Sequence, residues 1–583
     1  MQAAFSADAT EAVRKAIAGA PRENIRIVFP KGDYHFRPDH ACGKFHNITN
    51  HTSGHKYIAL DLEAMRHVEI DGQGSRLLMH GTMLPILISG CTNVVIRNIS
   101  IDWPSPFTAQ GTVTAVDMAG HTYDLKMHSE GLSWKVEDGR LKFPVDQGFT
   151  YSSAGESLLF DPRTGEPVYG AGNFDLHRRS DVRAEKQPDG TIRIWETARL
   201  KTPPPTGSVM TFKGPMGENR YAPAIHCTGS EGVRIENVTV NHALGMGFLA
   251  EKSKDITLSR FDVVVPPGSG RMVSATADAT HFCNCRGDVL VENCRFENML
   301  DDGTNVHGTY LEIEQITGAR SVVATLKHFQ QAGFIFGSPG DQVWMLSAPS
   351  TERSNLNTIA SFTAINELCS EIVFLNDLPK GLKPGDLIEN KTWNTSSFVL
   401  RNCTIRKHRA RNIVLKAPGK VVIENNHLQS MMASVLVRGE ASQWYESGAS
   451  TDITIRGNTF ENCALGGGNQ AVITIQPRIN RRFDQRQPFD SNITIERNRI
   501  NTFDNMIVTA SNVEGLSIKN NDIADSRSFA PFNSNAPLID ISLCSGVIIE
   551  GNSYSGGNSR PVKTDAVSEK GARISNNDWK AKQ

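Results

Sequence analysis

The sequence lacks what would tie it to a membrane span or to a polyanion. No run of 18 apolar residues occurs, so no transmembrane helix is expected. The 61 Lys and Arg are matched by 62 Asp and Glu, a net charge of −1, which leaves no basic field for nucleic acid or an anionic lipid surface. Met1-Gln2-Ala3-Ala4 has neither the basic nor the apolar region of a signal peptide; if the protein is exported, its signal is already missing from this sequence. Ten cysteines (Cys42, Cys91, Cys227, Cys283, Cys285, Cys294, Cys369, Cys403, Cys463 and Cys544) are scattered through a chain too long to need disulfide staples. The one close pair, Cys283-Asn284-Cys285, has no second pair at zinc-site spacing, which favours small buried residues in a turn over a metal. With 39% hydrophobic and 21% charged residues, wholesale disorder is excluded.

What is present is length and repetition. At 583 residues the chain far exceeds the ~250–300 at which one core stops growing, so it holds several domains or one elongated repeat. Alternating apolar residues run into an Asn and then alternate again: Val94-Val95-Ile96-Arg97-Asn98-Ile99, Val233-Arg234-Ile235-Glu236-Asn237-Val238, Val289-Leu290-Val291-Glu292-Asn293-Cys294 and Phe398-Val399-Leu400-Arg401-Asn402-Cys403. Further copies start at Val421, Ile453, Ile493, Leu516 and Val547. Period-two alternation marks strands with one buried face. Val233 to Ile256, Phe398 to Val421 and Ile493 to Leu516 are each 23 residues, while other gaps reach 31 or 32. A repeat of that size with loop insertions is one turn of a right-handed parallel β-helix, with rungs ~4.8 Å apart. The recurrent Asn tolerates the left-handed backbone of the turn, and its side chain can ladder with the Asn above. Leucine-rich repeats share the period, but their Leu-x-x-Leu-x-Leu pattern is absent.

The expected organisation is all-β. Residues 1–106 form an N-terminal cap and first rungs, with an Asp8–Glu11 capping box opening a helix whose Ala12, Val13, Ala16 and Ile17 share a face. Residues 107–220 and 310–395 break the rung pattern and are longer than any plain loop. They read as two inserted small β-barrel-like domains, with irregular lobes lacking closure as the alternative. Rungs carrying the acidic residues occupy 221–309, and C-terminal rungs occupy 396–583.

The chemistry concentrates in Asp278 and in Asp301-Asp302-Gly303-Thr304-Asn305-Val306-His307-Gly308. Asp278 and Asp301 are 23 residues apart, one rung, so Asp278 is expected directly beneath Asp301 with Asp302 alongside. Three carboxylates that close cannot all ionise at neutral pH, and a mixed protonated and ionised set is what glycoside hydrolysis needs. Turn capping by Asp and a calcium site are the competing readings. His281, Asn305 and His307 stand beside these residues as structural groups or as hydrogen bonds to sugar hydroxyls.

These segments, with Ile70-Asp71-Gly72-Gln73-Gly74-Ser75, Ile101-Asp102-Trp103, Gly245-Met246-Gly247-Phe248 and Trp444-Tyr445-Glu446-Ser447-Gly448, resemble the α-1,3-galactosidases of glycoside hydrolase family 110 over nearly the whole chain. The resemblance implies a right-handed β-helix with two barrel-like insertions. It implies removal of terminal α-1,3-linked galactose from blood-group B and linear Galα1-3Gal glycans, with inversion and without metal or other cofactor. Asp278, Asp301 and Asp302 would be the catalytic residues. By likeness to the polygalacturonases, Asp301 would be the general acid, with Asp278 and Asp302 holding and activating the water. Such enzymes are secreted, periplasmic or cell-surface proteins of bacteria, and exposed barrel faces could support a homodimer. Trp444, Tyr445 and Glu446 could stack on and hydrogen-bond galactose, with a packed loop aromatic as the alternative. Arg409, Arg411 and Glu251 are further candidates for substrate contact. Asn412 stands where a Gly is expected after Arg411, and Asn also tolerates the left-handed backbone.

Two other classes of function stay open at this level. A polygalacturonase-like hydrolase or lyase acting on uronic acid polymers would need cations for the substrate carboxylates, and a lyase would add calcium. A glycan-binding solenoid would bind without turnover.

Overall fold

The computed structural model describes residues 8–129, 132–143, 149–170, 173–175, 183–195, 203–348, 352–353, 355–394, 396–479 and 488–579. The repeated segments stack as a parallel β-helix. Val94, Val233, Ile256, Val289, Phe398, Val421, Ile453, Ile493 and Leu516 are consecutive register partners in one long parallel sheet. Each is at most 1% exposed, so one column of inward side chains runs along the axis. Burying each contributes roughly 1.5–3 kcal/mol, which explains why the alternation is so regular. A second parallel sheet faces the first and includes Leu84–Ser89, Ile225–Thr228, Phe248–Glu251, Thr280–Cys283, the start of Thr304–Gly318, Ile413–Leu415, Val435–Val437 and Ile473–Ile475. Among the described residues no helix is long and apolar enough to cross a membrane.

The motif Asn98, Asn237, Asn293 and Asn402 all take φ between 52° and 58°, as the turn requires. The ladder lies elsewhere than expected. Only Asn237 donates to the Asn beneath it, Asn98 (2.8 Å). The long ladder belongs to the residue after the turn, where Asn426, Asn458, Asn498, Asn521, Asn552 and Asn577 pass Nδ2–H to Oδ1 at 2.9–3.0 Å. Each Oδ1 also takes the backbone N–H of the preceding rung. A left-handed turn puts the next side chain inward, and a buried amide there is tolerated only when every donor and acceptor is paired. Asn458→Ala is therefore expected to destabilise by about 1–3 kcal/mol in chemical denaturation, because Asn426 and the Ile423 carbonyl lose partners.

The helix Thr10–Gly19 caps the solenoid and buries Ile17. It has no reciprocal capping box: Asp8 accepts the Thr10 N–H (2.9 Å), whereas Glu11 pairs with Lys15 (2.7 Å). The two excursions differ in closure. In the second, Thr304–Gly318, Ser321–Thr325, Cys369–Phe374, Asn355–Ala364, Gln342–Leu346 and Leu387–Asn390 pair antiparallel in that order, and the last returns to the first as a closed six-stranded barrel. In the first, antiparallel strands between Ala109 and Phe212 form one sheet whose pairing does not close among the described residues. Its Leu158 and Phe160 pack on Val273, Leu300 and Met431, which seats the excursion beside the acidic segments.

Candidate active site

Asp278 and Asp302 each stand two residues before a strand of the second sheet. His281 pairs with Asn305, so this rung has 24 residues and Asp278 stacks on Asp302, not on Asp301 as the 23-residue interval suggested. The Ala279 N–H donates to the Asp302 carbonyl (3.0 Å), which locks that register. Gly303 must be glycine here, since a Cβ would lie 2.6 Å from the Asn412 carbonyl oxygen. Asn412 is not left-handed; Ala410 takes that conformation, and the buried Asn412 amide donates to the Ile405 carbonyl (2.8 Å).

One oxygen from each of Asp278, Asp301 and Asp302 lies within 4.8 Å of the other two. Their surroundings separate them electrically. Asp301 is buried, yet Arg409 (3.2 Å, on Oδ1) and Arg220 (on Oδ2) hold it ionised, pulling it down to about 2. Burial pushes Asp278 up to about 8 and Asp302 up to about 7, with the charge on Asp301 adding to both. Asp302 still accepts the Arg411 N–H (2.9 Å). Arginines on the carboxylates are the opposite of a calcium cradle, which gathers bare oxygens.

A histidine chain lies behind Asp278. Asp278 Oδ2 is 2.8 Å from His281 Nδ1, and His281 Nε2 is 2.7 Å from His307 Nε2. His307 Nδ1 donates to the Gly308 carbonyl (2.6 Å). A neutral His307 therefore has a bare Nε2, His281 must donate to it, and the bare His281 Nδ1 takes its proton from Asp278. The only other arrangement makes His307 a cation, which burial opposes by pushing its imidazole down to about 3. The Asn50 carboxamide, 2.8 Å from the shared His281 Nε2, can turn either its oxygen or its NH2 to that nitrogen. His281, His307 and Glu446 could also be read as metal ligands. The 2.7 Å separation of the two Nε2 atoms is a hydrogen bond; two nitrogens ~2.0–2.1 Å from a tetrahedral zinc would stand farther apart.

Of the residues expected at the site, Asp278, Asp301, Asp302, His281, Asn305, Arg411, Trp444 and Glu446 line one pocket. Its ≈ 660 Å³ of open space is within the range of small-ligand clefts, roughly 300–1,000 Å³. His307 and Arg409 stand behind it, on His281 and Asp301. Tyr445 is turned away, its hydroxyl donating to Glu312 (3.0 Å) on the second barrel. Glu251 lines a neighbouring cavity with His46 and Trp393, where it accepts the Thr49 hydroxyl (2.6 Å) and anchors the loop that carries Asn50. Glu446 is paired with Lys416, which with His307 holds the carboxylate far below its usual range.

Asn50, Arg220, Lys416, Arg438, Glu440 and Arg478 also line the pocket and were not anticipated. Lys416 and Arg438 had a legible signal: each follows an apolar triplet of the second sheet, Ile413-Val414-Leu415 and Val435-Leu436-Val437, and the triplets are register partners. Asn50 and Arg220 had none, because a loop and the end of the first excursion deliver them.

Residues 109–210 match the family described as GLAA-B beta-barrel domain I, and residues 321–388 match GLAA-B beta-barrel domain II. The chain is 31% identical over 550 residues to Alpha-1,3-galactosidase A of Shewanella woodyi, covering 94% of this chain and 88% of that protein. It is 31% identical over 551 residues to Alpha-1,3-galactosidase B of Bacteroides thetaiotaomicron, covering 93% and 88%. Among solved structures, an exopolygalacturonase from Thermotoga maritima aligns with 92% of this chain and 87% of its own at 10% identity and a TM-score of 0.38, too loose a likeness to carry an argument. With matching barrel domains and near-complete alignment to these relatives, the protein belongs to the α-1,3-galactosidase family of glycoside hydrolases.

Proposed function

We propose that this protein is an exo-acting α-1,3-galactosidase, exported by a bacterium, that removes terminal α-1,3-linked galactose from blood-group B and linear Galα1-3Gal glycans with inversion. The observation that carries the reading is the division of charge among three adjacent carboxyls: one held as an ion, two sharing protons near neutral pH. The buried Asn50 and Arg220 close the N-terminal end of the pocket, and it opens at the exposed Arg478, a shape suited to a terminal sugar.

The roles follow from the environments. Asp301, with both oxygens on arginines, has no proton to give; it is a fixed negative charge beside a developing oxocarbenium ion. The acid is therefore Asp278 rather than Asp301, and its proton passes to the glycosidic oxygen as the C1–O bond breaks. Ionised Asp302 takes a proton from the water that bonds to C1. After turnover the His281–His307 chain can hand a proton back to Asp278.

Distance alone does not select inversion. The trio's nearest oxygens, within 4.8 Å, fall short of the roughly 6.5 Å or more expected of a diagonal pair and are closer to the ~5–5.5 Å of retaining pairs. Charge selects it: a covalent nucleophile must be ionised and free, and the firmly ionised Asp301 is tied at both oxygens. Oxygens this close can share one water, since a water with two hydrogen bonds of ~2.7–2.8 Å bridges about 5 Å. Proton NMR in the first minutes of reaction is expected to show β-galactose before mutarotation. Initial α-galactose, or a galactosyl-enzyme in the mass spectrum, would overturn the inverting mechanism.

A further inference from the structure

The C-terminal end of the pocket carries cations that the acid–base chemistry does not use. Arg411, Lys416, Arg438 and Arg478 all line it. Lys416 is matched by Glu446, and Arg411 stands 3.6 Å from Asp302. Arg438 and Arg478 form no ion pair among the described residues. Arg438 donates to the carbonyl (3.0 Å) and side-chain oxygen (3.3 Å) of Gln476, which fix its guanidinium without offsetting its charge. Arg411 Nε is buried and has no hydrogen-bond partner among the described residues.

The nearest acid, Glu440, is occupied. Its carboxylate accepts the backbone N–H groups of Ser442, Gln443, Trp444 and Tyr445 and the Ser442 hydroxyl. Burial and the neighbouring Arg411 and Arg478 push Arg438 down to about 10, so like charges are held together at a cost that a bound anion would relieve. Guanidinium groups in this arrangement match a planar or tetrahedral oxyanion through paired N–H bonds.

Register gives the distance from the chemistry. Arg411 is one rung from Asp302; the triplets Ile413–Leu415, Val435–Val437 and Ile473–Ile475 then place Arg438 two rungs away and Arg478 three. At ~4.8 Å per rung these are roughly 10 and 14 Å along the axis. A galactose seated on Asp278 and Asp302 does not reach that far, whereas the sugar to which it is linked does, because the opposite end of the pocket is closed.

We propose that this end of the pocket is an anion subsite for a sulfate ester or carboxylate carried by the sugar that bears the terminal galactose. The proposal rests on the galactosidase reading and names the substrate class within it: α-1,3-galactosyl glycans with an anionic acceptor. Cations for acidic sugars, expected of an enzyme acting on uronic acid polymers, are present, on the leaving-group side.

The test compares kcat/KM for Galα1-3Gal, for the same disaccharide sulfated on its reducing galactose, and for an α-1,3-galactosyl uronate. At low ionic strength at least one anionic substrate is expected to exceed the neutral one by about tenfold, the two arms showing which anion is read. Added salt should shrink the ratio, and Arg438→Gln/Arg478→Gln should bring it within about twofold of unity. Arg478→Gln alone, at an exposed position, should lower the ratio without any demand on folding. Wild-type enzyme that hydrolyses the neutral disaccharide as fast as or faster than both anionic ones overturns the proposal. If no disaccharide is hydrolysed, the galactosidase reading fails, and the subsite is still read by calorimetry with inorganic sulfate. Binding to wild type that disappears in the double variant supports the subsite, and no binding to wild type overturns it.

Discussion

Asp278→Asn, Asp301→Asn and Asp302→Asn are each expected to lower kcat by at least ~10², the scale of acid–base and electrostatic contributions, with the solenoid still folded. The pH profile separates the roles. Below about 7 both Asp278 and Asp302 hold protons and no base is available; above about 8 both are ionised and no acid remains. A bell-shaped kcat/KM is expected between those limits, and its two apparent values belong to the pair. Asp278→Asn removes the group that keeps its proton longest, so the residual activity should lose its alkaline limb. Asp302→Asn should lose the acid limb. Asp301→Asn should keep both limbs and lower the plateau, because Asp301 stays ionised throughout the range. Wild-type-like turnover in any two of the three variants would remove the trio from the mechanism.

Lys416→Met is expected to cost about 3–5 kcal/mol of stability, since it leaves the Glu446 carboxylate buried with its strongest partner gone. His307, 3.6 Å from Glu446, would then be drawn toward protonation and would disturb the chain that supplies Asp278, so activity should fall too. Glu446→Gln added to Lys416→Met removes the stranded charge and should recover part of the stability, with a coupling of at least about 1 kcal/mol in a double-mutant cycle. A single variant as stable as wild type in chemical denaturation would show that the pair contributes no net stability.

The β-helix was legible because its determinants are local. An inward Val or Ile at every second position and an Asn or Gly at the left-handed turn are properties of single residues, and a period near 23 repeats them until they align. The trio was legible for the same reason, as residues one rung apart. The register that pairs Asp278 with Asp302 was not, because a rung of 24 here differs from its neighbours by one residue, and only the hydrogen bonds reveal it. Nor was the division of protons. Arg220 meets Asp301 across 81 residues and Arg409 across 108, and these two charges, delivered by the first excursion and a later rung, decide that Asp301 is the ion. The amino-acid pattern thus determined the solenoid and which carboxyls would meet, since alternation and turn preference act within one rung. Which of them keeps its proton, and which cations face the incoming glycan, was decided by the tertiary structure, since a buried group's charge depends on every element that closes around it.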